Sequence, residues 1–200
     1  EIYRCDWSSD VCSSDLKIEQ RKFTVQKGSD LAKFHIYMNG KNTQLQPALA
    51  LAPALYTMQP SGTLYKSMVQ TGVSTAVQST TWLDQDFNMV FMGAVYAPNH
   101  DAKKVDDALI DGVENSQSFT DAELQRIKTI TQNTADTIAN DAVALGSRLS
   151  DYAVSSHGQW DQYFKDLQAI QDLKLNDANQ TLKQFLVSSH RISGDIQPTP

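Results

Sequence analysis

The sequence predicts an α+β fold, an antiparallel or mixed β-sheet packed against several helices. Three observations lead there. Strand-like segments open the chain at 22–26 and 31–38 and close it at 191–197. A β-branched and aromatic stretch at 73–97 reads as a hairpin. Between and after these, apolar residues recur at helical spacing of threes and fours. No inner segment is rich enough in Gly, Pro or Ser to mark a boundary, so residues 17–200 read as a single domain.

Lys22 to Gln26 and Leu31 to Met38 flank Lys27-Gly28-Ser29-Asp30, a turn-forming cluster, and read as two strands. Asn42 or Thr43 caps a predicted helix through Tyr56, with Leu45, Leu49, Ala52 and Tyr56 on one face; Pro47 suits its first turn, and Pro53 is expected to kink or end it. Leu64, Tyr65, Met68 and Val69 mark a second helix that Gly72 stops. In the hairpin, Asp84-Gln85-Asp86 breaks the strands, and Phe87, Met89, Phe91 and Val95 share one face. Val105, Ala108, Leu109 and Val113 predict a helix over 101–113. Thr120-Asp121-Ala122-Glu123 is a capping box, and the stripe behind it runs from Leu124 and Ile127 to Leu149 and Tyr152, with a break expected near Asn140-Asp141. The stripe is expected to pack on the domain's own sheet. Tyr163, Phe164, Leu167 and Ile170 form the inner face of a helix over 160–173, and Asn176 or Asp177 caps the last one, to Val187.

The 200 residues carry a net charge of -6, and their basic residues form no cluster longer than Lys103-Lys104. That argues against nucleic acid as a partner, because neutralising phosphates needs a concentrated cationic face. The longest mainly apolar run, Pro47 to Tyr56, contains two prolines and falls short of the roughly 20 residues of a membrane-spanning helix. Residues 1–16 stand apart. Trp7-Ser8-Ser9-Asp10-Val11 is nearly repeated by Cys12-Ser13-Ser14-Asp15-Leu16, and Val11 to Leu16 is what GTG TGC TCT TCC GAT CT encodes, the end of a common sequencing adapter. Residues 1–16 are therefore read as a non-native segment. Cys5 and Cys12 both lie in it, at a spacing that matches no common zinc or redox pattern. Without it the net charge is -3 and no cysteine remains.

No self-contained active site emerges, and the catalytic, cofactor-binding and metal-ligating sets are all predicted to be none. His35, His100, His157 and His190 stand in neither a His-x-x-Glu-His nor a His-x-x-x-His arrangement. His35, between Phe34 and Ile36, reads as a buried structural histidine; His100 and Asp101 read as a helix start. His157 and Asp161 are four apart, but Gly158 separates them and no third ligand is near. There is no Gly-x-Ser-x-Gly turn and no glycine-rich phosphate loop, and Ser61-Gly62 alone is too common to signify. Asp106, Asp107 and Glu114 read as solvent-facing positions.

Four segments, in order, resemble the pitrilysin/insulinase family of zinc metallopeptidases, which also includes the mitochondrial processing peptidase. Ala32 to Tyr37 is similar to its second strand. Pro60 to Val69 (PSGTLYKSMV) is similar to its Ser-Gly-Arg-Leu-Tyr-x-x-Leu helix opening, with Thr63 in place of the Arg. Phe119 to Lys128 (FTDAELQRIK) resembles Val-Thr-x-Glu-Glu-Leu-x-x-Ala-Lys, and Arg191 to Thr199 (RISGDIQPT) resembles Asn-Arg-x-x-x-x-Phe-Ile-Pro-Thr. The resemblance implies one metallohydrolase-like α+β domain among several that enclose a chamber. It further implies zinc held by an inverted His-x-x-Glu-His in a preceding domain, and no cofactor in this chain. Second-half domains that bind substrate carry an Arg and, seven positions later, a Tyr; these fall at Val69 and Ala76, so that role is not carried over. The chain thus looks like the noncatalytic second domain of a first half, inactive by itself. Its implied partners are the zinc-bearing domain, of the same polypeptide or a partner subunit, and a peptide substrate. The alternative is an assembly-only subunit of a two-chain peptidase or larger complex. A periplasmic or cell-envelope setting follows from family habit alone.

Overall fold

Among the described residues a single five-stranded mixed sheet organises the chain, together with six α-helices. The computed structural model describes residues 22–26, 31–40, 42–84, 86–116 and 118–198. The adapter-like segment with Cys5 and Cys12, and the 27–30 turn, lie outside the described residues. The strands are β1 (Lys22–Gln26), β2 (Leu31–Gly40), β3 (Ala76–Leu83), β4 (Phe87–Tyr96) and β5 (Arg191–Gln197), in the spatial order β1-β5-β2-β4-β3. β3 and β4 form the predicted hairpin. β1 and β2, neighbours in sequence, do not pair. The C-terminal strand β5 inserts between them, parallel to β1 and antiparallel to β2, so both ends of the described chain meet in the sheet.

The helices are α1 (Gln46–Thr57), α2 (Ala102–Glu114), α3 (Asp121–Ala139), α4 (Ala142–Ser155), α5 (Gln162–Asp172) and α6 (Leu175–Phe185). One hydrophobic core, containing Tyr37, Leu49, Met68, Val90, Met92, Leu109, Leu124 and Phe185, lies between sheet and helices. α1 is entered through a short 3-10 turn that Asn42 caps with its side chain. It passes through Pro53 without stopping. An interior proline costs about 3 kcal/mol, but Leu49, Leu51, Leu55 and Tyr56 are all buried around it, and each such side chain contributes about 1.5–3 kcal/mol.

The segment after Ser61-Gly62 includes a π-helical stretch, Tyr65–Val69, and Gly72 follows it in the left-handed region at φ 75°. The capping box forms as predicted: Thr120 Oγ1 accepts from the Glu123 N–H, and the Glu123 carboxylate accepts from the Thr120 N–H. α3 ends at Ala139, and Asp141 caps α4 by accepting from the N–H groups of Val143 and Ala144. Three expectations are corrected. The long stripe does not stay inward: Leu124 and Ile127 are buried, but Ile130 is exposed, α3 buries Ala135 further on instead, and α4 buries nothing. Phe164 faces solvent, because α5 turns Tyr163 and Ile170 inward instead. α6 starts at Leu175 with no side-chain cap, so neither Asn176 nor Asp177 caps it.

Candidate functional site

The register divides the sheet into two faces. One row, His35–Met92 and Tyr37–Val90 with Ser193 and Arg191 opposite on β5, lies beneath the helices. The alternate rows form the other face: Phe23 and Val25 on β1, Ile192 and Ile196 on β5, Ala32, Phe34, Ile36 and Met38 on β2, Met89, Phe91 and Val95 on β4, and Trp82 on β3. No charged residue stands in these rows, and Phe23, Val25 and Trp82 are exposed. Strand alternation had correctly put Phe87, Met89, Phe91 and Val95 on one face, the open face, which among the described residues no helix covers.

Two glycines make the open face smooth. A Cβ on Gly194 would stand 2.4 Å from the Phe34 ring, and one on Gly93 would stand 2.9 Å from Phe91. The rings lie across these positions, Phe34 stacked on Phe91 (5.6 Å between centroids) and edge-on to Phe23 (5.2 Å). On this face Phe23, Val25 and Trp82 keep 40%, 40% and 49% of their surface exposed, while Ala32 and Phe34 are buried among their neighbours. Exposed apolar groups gathered on one face of a domain are a feature of binding surfaces.

The buried titratable residues are on the covered side. His35 is fully buried and its Nε2 donates to Asp106 Oδ1 of α2 (2.8 Å). Next to it on β2, the Tyr37 hydroxyl donates to Glu114 Oε1 (3.1 Å), and Arg191 of β5 pairs with the same carboxylate oxygen. Burial, the Glu114 charge and the hydrogen bond to it push the Tyr37 hydroxyl far above its usual pKa. Asp106 and Glu114 are thus not solvent-facing as their spacing predicts: both turn from α2 toward buried partners on the sheet. Asp107 alone behaves as expected, exposed and paired with Lys103 one turn away (2.5 Å).

The other histidines lie apart. His100 Nε2 donates to the Gly72 carbonyl (2.8 Å) and His190 Nδ1 to that of Phe185 (2.9 Å). His157 sits in a left-handed turn at φ 51°, and Asp161 is paired with Lys165 instead. Among the described residues no three His, Cys, Asp or Glu side chains are grouped to hold a metal ion. This donor set does not fit zinc, since each imidazole lies on a different element and three are bonded elsewhere. Val69 and Ala76, at the end of the π-helical stretch and the start of β3, offer no polar group. Among the described residues no helix is long and apolar enough to cross a membrane.

The outer edge of β3 adds a second feature that sequence spacing does not show. The Asp84 N–H donates to the Phe87 carbonyl (2.9 Å), which makes Trp82–Met89, Thr80–Phe91 and Gln78–Gly93 the hydrogen-bonded pairs of the hairpin. The N–H and C=O groups of Ser79, Thr81 and Leu83 therefore point off the sheet, and among the described residues no strand pairs with them. Beside this edge lies a cleft of about 920 Å³, lined by Gln44 and Gln46 at the start of α1, Thr81 and Leu83 of β3, and Tyr152 and Asp166 of α4 and α5. Burial, aided by the Asp166 carboxylate, pushes the Tyr152 hydroxyl up to about 12.

The structure resembles solved structures whose descriptions concern zinc proteases. A protein of Bordetella pertussis Tohama I, provisionally assigned as a zinc protease, superposes with a TM-score of 0.76 at 25% identity, over 85% of this chain and 94% of that one. The inactive peptidase domain of a provisionally assigned zinc protease from Bordetella parapertussis gives 0.77 at 26% identity, over 88% and 96%. An M16-like peptidase of Alicyclobacillus acidocaldarius, also provisionally assigned, gives 0.71 at 14% identity, over 90% of this chain and 44% of that one. The fold is that of M16-type inactive peptidase domains. No protein-family model matches the sequence, and a search of curated proteins finds no match.

Proposed function

We propose that this chain is a noncatalytic domain of a pitrilysin/insulinase-type zinc metalloendopeptidase, whose open sheet face forms part of the wall of the chamber that receives peptide substrates. The observation that carries the reading is the inverted polarity of the sheet, on a fold shared with inactive peptidase domains. The charged side chains of the sheet are held on the helix side, and the other face is mainly aromatic and aliphatic, with Gln78 and Thr80 of β3 its polar members. Such a face retains an unfolded chain through apolar contact without selecting a particular side chain. The outer edge of β3 adds backbone donors and acceptors, which an extended peptide can pair with as an added strand. Zinc and the groups that cleave the peptide would come from a preceding domain, of the same polypeptide or a partner subunit.

The test uses the whole chain. Calorimetry with zinc and assays with an unstructured fluorogenic peptide are expected to show no stoichiometric metal binding and no hydrolysis. A reduced, carboxymethylated protein should bind weakly, and Phe91→Ser should weaken that binding several-fold. Zinc binding at one equivalent with hydrolysis would overturn the reading, and so would binding that Phe91→Ser leaves unchanged.

A further inference from the structure

α4 differs from the other five α-helices in contributing no buried residue. Its apolar residues Leu145, Leu149 and Tyr152 are only half-covered, and Val143 and Val154 are exposed to 82% and 85%. Both ends are jointed. At its start the helical path breaks at Asn140-Asp141, where the backbone becomes extended. At its end His157 and Gly158 are both left-handed, at φ 51° and 92°.

Between these joints α4 meets α3 and α5. The Tyr152 ring meets Tyr163 of α5 edge-on at 5.4 Å, and burial together with the Asp166 carboxylate, also on α5, pushes the Tyr152 hydroxyl up. Across from α4 is the 920 Å³ cleft, with the start of α1 and the end of β3 on the far wall. Arg148, Asp151 and Ser155 of α4 line it, so a movement of α4 changes the width of the cleft.

We propose that α4 is a hinged flap that pivots about Asn140-Asp141 and His157-Gly158 to open and close the cleft beside the outer edge of β3. A segment with little buried apolar surface opens at low free energy, while the core around α1 and α2 stays intact. A chain lying along β3 and touching the polar side of α4 would shift the flap toward its closed position. What the flap covers rests on the reading of that edge as peptide-binding; that it moves does not.

The experiment reads the motion in the protein alone. In hydrogen exchange on the full chain, amides of 145–155 should exchange at least ~10-fold faster than those of 124–135 in α3. Tyr152→Phe, which keeps the ring and deletes the hydroxyl, should speed α4 a further several-fold and leave α1 and α2 unchanged. Spin labels at Gln44→Cys and Ser155→Cys, with Cys5→Ser and Cys12→Ser, should report two distances across the cleft. A single narrow distance overturns the proposal whatever the exchange rate, and so does an α4 that exchanges no faster than α5. If both readouts hold and carboxymethylated protein fails to bind, the flap stands and the peptide-binding reading falls.

Discussion

Replacing Glu114 by alanine tests the buried network at its centre. The Glu114 carboxylate accepts from the Tyr37 hydroxyl and pairs with Arg191, and the two charged side chains retain only 14% and 12% exposure. Glu114→Ala therefore leaves a guanidinium and a phenol under α2 without their acceptor. Removing one member of a buried pair costs about 3–5 kcal/mol, and the residual exposure favours about 3. The lost phenol bond does not simply add to this, because the two share one carboxylate. At roughly 2–4 °C per kcal/mol for a domain of this size, Tm should fall by about 6–12 °C. Urea unfolding followed by circular dichroism should give the same loss with an unchanged slope. Adding Arg191→Leu should recover part of it, because the stranded charge is then gone. A loss below about 1 kcal/mol, the range of an exposed ion pair, would refute the argument and restore Glu114 to the solvated face that its spacing suggests.

Three further outcomes are expected. The Tyr56 hydroxyl, buried against Val113 and Ser116, is pushed up to about 12, and Tyr37 still higher. Both stay neutral in the fold after their unfolded counterparts ionise near 10, so their contribution is whole below pH 10; that of Tyr56, about 3 kcal/mol, is lost as pH rises toward 12, and that of Tyr37 declines over the same range and beyond. A flat urea midpoint between pH 9 and 12 would contradict this. Thr120→Ala should cost about 1 kcal/mol by opening the capping box. Bonds from Thr120 hold the Glu123 carboxyl below its usual range, so that part of the cap is present at neutral pH and disappears as pH falls through the lowered value. An acid titration of the Thr120→Ala difference reads it. Gly194→Ala should cost about 1–3 kcal/mol, because the added methyl drives the Phe34 ring off its stack; crystals or ring-proton shifts showing Phe34 unmoved would count against it.

Local order was legible wherever one residue type carries a local mechanism. Thr120 and Glu123 satisfy backbone N–H groups three residues apart, Gly72 supplies a left-handed φ, and Asp141 restarts a helix. None of these depends on the rest of the chain. Pro53 and α6 misled because tertiary burial outweighs local preference there: α1 runs through its proline between buried leucines, and α6 starts uncapped with Ala178, Leu182 and Phe185 packed inward. Strand pairing was also beyond local reading. Nothing in Lys22–Gln26 or Leu31–Met38 shows that Arg191–Gln197, some 150 residues later, separates them.

The site was half legible, for a geometric reason. A period of two shows which side chains share a face of β4, but not which face the helices cover. Both are apolar, with Val90, Met92 and Ala94 on one side and Met89, Phe91 and Val95 on the other. The larger set ended up outside. For a domain that meets nothing else this arrangement is unfavourable, since Phe23, Val25 and Trp82 would gain about 25 cal/mol for every Å² removed from water. Acidic side chains were misjudged for the complementary reason. Asp106 and Glu114 lie eight apart on α2, about two turns, hence on one side of the helix, and His35, Tyr37 and Arg191 meet that side. Spacing gives the shared side, and only the sheet beneath supplies the partners. Buried pairs of this kind hold one register of α2 over β2 and β5, and the charged groups of the sheet are thereby kept off its opposite, apolar face.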